Sequence, residues 1–129
     1  MNIQSVLSNL NKGVYREAFS LLYGNSDKAL EYQTKRYIKA VESFSEIFPT
    51  RNEINLYSAP GRTEIGGNHT DHQQGSVLAG AVNLDAIAIV SFHNEGFIRL
   101  KSEGFDMIQV DLADTAIHSG ESGDTAIVR

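Results

Sequence analysis

Apolar residues recur every three or four positions near the start of the chain: Ile3, Leu7, Leu10, Val14, Ala18 and Leu21. That spacing predicts an amphipathic helix, with Gly13 a weak point and Gly24 a C-terminal stop. A stronger pattern follows, in which Leu30, Tyr37, Val41, Phe44 and Phe48 share one face. Asn25 or Ser26 can cap its start, and Pro49 closes its end. Lys28, Glu31, Lys35, Lys39 and Glu42 fall away from that face and are solvated, so the aromatics belong to a core.

After Pro49 the period changes. Residues 54–59, 86–92, 97–101 and 107–112 read as strands, and the turn-like separators 94–96 and 102–105 predict antiparallel hairpins. Residues 119–123 read as a surface loop, and Asp124 can cap a new helix beginning over 125–129. A helix opening so near the last residue looks cut. Helices first and antiparallel strands afterwards make an α+β chain.

Composition narrows the function classes. A chain of 129 residues with 41% hydrophobic and 21% charged residues can form one globular domain. The net charge of -5 and the lack of any Lys/Arg run argue against nucleic acid as a partner. With no cysteine, disulfides and thiol-based zinc sites or catalysis are excluded. The first ten residues have no basic region or continuous apolar core, so they are not a secretory signal. No apolar stretch approaches the roughly 20 residues needed to cross a bilayer. A cytoplasmic, soluble domain without a membrane partner is the expectation.

The chemistry gathers in one stretch, residues 59–72. Its fourteen residues hold one guanidinium, two imidazoles, two carboxylates, one amide and three glycines. Apolar runs over 54–59 and 77–90 flank it, so it reads as a loop presented by a rigid scaffold. Arg62 offers a fixed fork of donors for phosphate or carboxylate oxygens, and such a charge stabilises phosphoryl transfer. The alternative is a surface arginine paired with Glu64 or Asp71. Asn68, His69 and Asp71 can donate to and accept from adjacent sugar hydroxyls, or satisfy their own backbone in an Asx-rich turn. His69 and His72 flank Asp71, but no distant third ligand is evident, since His93 and His118 look like turn or surface residues. No metal site is expected.

Ala59-Pro60-Gly61-Arg62, Gly67, His69-Thr70-Asp71, Gly75 and Val77-Leu78 resemble the galactokinase signature, A-P-G-R-V-N-L-I-G-E-H-T-D-Y followed by Gly and V-L-P. The wider superfamily includes homoserine, mevalonate and phosphomevalonate kinases. The likeness is sharp over about 56–90. It is weak over the first 48 residues, so the helical patterns there read as an amino-terminal extension, 1–49; over 50–129 it implies the first part of a truncated galactokinase-type domain with a mixed, largely antiparallel sheet. It also implies transfer of the ATP γ-phosphate to the anomeric hydroxyl of galactose or a close relative, with Mg²⁺ accompanying ATP. Arg62 then stabilises the transition state. Asn68, His69, Thr70 and Asp71 bind the sugar, and Ser102 lies near the nucleotide.

Four departures from the family matter. Glu64 stands for Asn, Gly66 for an aliphatic residue, Asn68 for Glu and His72 for Tyr. Asn68 keeps the geometry of the glutamate but loses its charge, which would admit a change at the sugar's C6, a uronic acid included. The family's phosphate loop and its downstream aspartate do not occur in the 129 residues, and 119–123 is no substitute. The expectation is an amino-terminal piece, inactive alone, whose partner is the missing carboxy-terminal half. Without that cover, an apolar sheet face and free strand edges would make it aggregate or oligomerise. The alternatives are a galactokinase-like sugar sensor without efficient transfer, or a kinase for a C6- or C2-modified galactose.

Overall fold

A computed structural model describes residues 1–67, 74–114, 116 and 119. It is α+β, with three helices followed by antiparallel strands. Two compact units are distinguished, residues 1–92 and 93–129.

In the first unit, the single helix expected up to Gly24 is two helices. Helix α1 (Ile3–Asn11) starts at an Asn2 cap whose side chain accepts from the Gln4 amide at 2.9 Å. It buries Ile3, Val6 and Leu10. The chain then turns at Gly13, whose φ of 71° is cheap only for glycine. Helix α2 (Arg16–Tyr23) resumes with a shifted phase. Val14 and Leu21, on the expected face, are therefore exposed, and Phe19 and Tyr23 turn inward instead.

Helix α3 (Asp27–Ile47) matches the second pattern closely. Leu30, Tyr37 and Val41 are buried, with Gln33 among them, and Phe44 packs at the margin of the core. Ser26 occupies the N-cap position without a side-chain hydrogen bond. Lys35 pairs with Glu31 one turn away at 2.6 Å.

Two strands pack on these helices. Strand β1 (Asn55–Gly66) pairs antiparallel with β2 (Leu78–Val90). Ile54 is fully buried in the helical core, and Leu56, Ile87 and Ile89 pack against it. The amino terminus is tied to the same place. The Met1 ammonium donates to the Ile54 carbonyl at 2.9 Å, and the Ile54 amide returns a bond to the Met1 carbonyl at 2.8 Å.

The second unit holds a short hairpin. Strand β3 (Phe97–Leu100) pairs with β4 (Ile108–Asp111), both within about a residue of their predicted places. Val110 is buried there. Arg99 lies over the Phe97 ring, 4.6 Å from its centroid, and donates to Gln109 at 2.8 Å. The loop expected at 119–123 falls almost wholly outside the described residues, and the helix expected over 125–129 lies entirely outside them.

Candidate functional site

The chemically rich stretch is strand for more than half its length. Residues 59–66 belong to β1, and Gly67 lies just beyond the ladder. Arg62, expected on a loop, therefore projects from a hairpin stem. Pro60 is tolerated because β1 has one neighbouring strand among the described residues and can place a residue without an N–H at its other edge.

The register explains how Arg62 is set. Pro60 faces Asp85 and Arg62 faces Ala81, so Gly61 alone opposes Val82, Asn83 and Leu84. That irregularity on β2 shifts which of its residues face inward. Gly80 and Val82 are half-buried on one side of it, and Asp85, Ile87 and Ile89 on the other. Gly61 is favoured by proximity: a Cβ there would sit 3.1 Å from the Leu84 carbonyl oxygen, which would have to give by a few tenths of an ångström. A second slip lies between Glu64 and Gly66.

Arg62 is exposed and pairs with Glu64, at 3.1 Å, two residues along the same strand. The pairing weighed from the sequence is thus present, and an incoming anion would compete with Glu64 for the guanidinium. Asn68, His69, Thr70 and Asp71 lie outside the described residues, in the connection between β1 and β2. Gly67, the last described residue before them, has φ 79° and faces the Ser76 carbonyl. Ser102 is half-buried just past β3, in the second unit. No group of three or more His, Asp or Glu side chains able to hold a metal occurs among the described residues. Nor is any described helix long and apolar enough to cross a membrane.

One cluster escaped the sequence reading. The Asp85 side chain is 3% exposed and accepts from the Tyr23 hydroxyl at 2.6 Å, Ser58 Oγ at 2.5 Å and Arg36 Nη1 at 2.5 Å. Arg36 Nη2 donates to the Asp85 carbonyl oxygen at 2.7 Å, and Nη1 also reaches Gln33 at 3.1 Å. The Tyr23 and Tyr37 hydroxyls meet at 3.0 Å. Burial alone would raise the Asp85 carboxyl, but the bonds from Ser58, Tyr23 and Arg36 outweigh it and hold it below the usual carboxylate range. Burial, then the bonds to Asp85 and Tyr37, push the Tyr23 phenol well above its ordinary value. Two signals were available: a lone aspartate in an apolar strand run, and Gln33 on the buried stripe of α3.

Comparison with known proteins points at the same hairpin. Residues 42–92 match the galactokinase galactose-binding signature, a span that contains all of β1 and β2. The chain carries that signature and is similar to galactokinases of bacteria and human. The galactokinase of Streptomyces coelicolor is 37% identical over 83 residues, which is 63% of this chain and 21% of that protein. Human galactokinase is 39% identical over 70 residues, 53% of this chain and 18% of that protein. That of Lactococcus lactis subsp. cremoris is 28% identical over 83 residues, 62% of this chain and 21% of that protein. The chain thus spans about a fifth of the length of the curated relatives it matches. No solved structure matches it.

Proposed function

We propose that this chain is the galactose-binding segment of a galactokinase-type sugar kinase working in the cytoplasm. The observation that carries the reading is the coincidence of the galactose-binding signature, residues 42–92, with the stem that displays Arg62. In the proposed site, Asn68, His69, Thr70 and Asp71 hold the sugar hydroxyls. Arg62, released from Glu64, faces the anomeric oxygen, where a fixed positive charge stabilises the negative oxygens of a transferring phosphoryl group.

ATP with Mg²⁺ is the donor proposed for the whole kinase. The residues of this chain do not fit a complete nucleotide site. Half-buried Ser102 alone is tied to the nucleotide by likeness, and no glycine- and serine-rich phosphate loop occurs in the sequence. No transfer step is therefore assigned to these 129 residues, and sugar binding is their share of the reaction.

Calorimetric titration of the chain with galactose tests this reading, alongside Arg62→Ala and Asp71→Ala. Saturable binding by the parent chain, weakened at least about tenfold in Asp71→Ala, is expected, since that variant loses a charged hydrogen-bond acceptor. Equal heats for all three proteins would contradict it. Titration with galacturonate and N-acetylgalactosamine reads whether Asn68 shifts preference at C6 or C2. Saturable binding that never supports phosphorylation in the full-length protein of the source would move the reading to a sugar sensor.

A further inference from the structure

We infer that Arg36 and Asp85 are positioning residues that lock the register of the Arg62-bearing hairpin and so couple α2 and α3 to the candidate sugar site. The cluster lies where the β1–β2 register is about to break. Asp85 is the partner of Pro60, the last pair before the irregularity, and Arg36 Nη2 donates to the Asp85 carbonyl at 2.7 Å. The other arm of the same guanidinium holds the Asp85 carboxylate at 2.5 Å, so one side chain fixes both backbone and side chain of that residue. Ser58, two residues before Pro60, and Tyr23 on α2 occupy the second carboxylate oxygen. Four elements meet on one buried charge.

Directly beyond this clamp the register slips, with Gly61 opposing three residues of β2 before Arg62 pairs with Ala81. An irregularity of this kind can migrate along a ribbon unless something pins it, and a one-residue slip would turn Arg62 to the opposite face. The hydrophobic core does not supply that pin, because its packed strand residues are Ile54, Leu56, Ile87 and Ile89, all on the near side of Pro60 and Asp85. A buried ion pair adds little stability over an apolar substitute, and fixing register is its best-attested use.

The test compares the parent chain with Arg36→Lys and the apolar double variant Arg36→Met/Asp85→Leu. Amide hydrogen exchange is followed in the distal ladder, residues 62–66 and 78–81, and separately in α3. In the double variant we expect α3 to keep its protection and the distal ladder to lose at least about tenfold, the scale of one charge-assisted hydrogen bond. Arg36→Lys keeps the charge but not the two-armed grip, so the distal ladder should again lose protection selectively. Unchanged distal protection in both variants overturns the inference. Parallel loss from α3 and the ladder overturns it too, since it makes the pair a general stabiliser. Only the consequence for sugar rests on the proposed function: galactose affinity should fall with distal protection. If the parent chain binds no galactose, that reading fails, while the exchange comparison still decides the positioning role.

Discussion

Asp85 owes its ionised state to its neighbours, and this has a measurable pH consequence. Its folded pKa lies below the unfolded one, because hydrogen bonds from Ser58, Tyr23 and Arg36 outweigh the effect of burial. The stabilisation is complete above the ordinary carboxylate value, about 4, and is lost as pH falls through the depressed folded pKa. The urea midpoint of the parent chain should therefore drop more steeply below about pH 4 than that of Asp85→Asn. At neutral pH that variant should be destabilised by about 3 kcal/mol, since it weakens a buried ion pair. Parallel curves would contradict the role given to the carboxylate. Arg62 and Glu64 make the opposite case. Their side chains are 70% and 24% exposed, so Glu64→Gln should change stability by less than about 1 kcal/mol in a denaturant melt. The galactokinase-like motif was legible because Arg62 and His69-Thr70-Asp71 are close in sequence. The Asp85 cluster was not, because Tyr23 and Arg36 lie 62 and 49 residues from it.

At the scale of elements, the sequence was readable wherever one phase held throughout. Helix α3 keeps Leu30, Tyr37 and Val41 on its buried face, and the β3–β4 hairpin falls at its predicted turns. Reading failed where a turn or bulge resets the phase. The turn at Gly13 moved burial from Val14 and Leu21 to Phe19 and Tyr23. In β1, the Pro60-Gly61 pair and the glycines after Ile65 looked like loop, yet two register slips let the ladder run on to Gly66. Both elements carry checks. Ile54→Ala removes a fully buried side chain where β1 enters the helical core and should cost about 3 kcal/mol in chemical unfolding. Gly67→Ala places a Cβ against the Ser76 carbonyl at φ 79°, so it should destabilise the hairpin end by more than about 1 kcal/mol. Distal-ladder amide exchange would register the change before global unfolding does.

At the scale of the molecule, one core binds the helices to the near end of the hairpin, and Arg62 lies on the ladder beyond that core. This division suits the proposed function, in which the helical part supports and the hairpin binds the sugar. Several large apolar side chains on the ribbon, Tyr57, Ile65, Leu78 and Leu84, are exposed, a surface suited to contact with another apolar face. The most direct measurement is a chemical-shift titration of the isotope-labelled chain with galactose, using glucose, its C4 epimer, as the control. We expect saturable shifts confined to the amides of residues 61–72, larger for galactose than for glucose. Shifts that never saturate with galactose, galacturonate or N-acetylgalactosamine, or that centre on the helices, would contradict a sugar site on this hairpin.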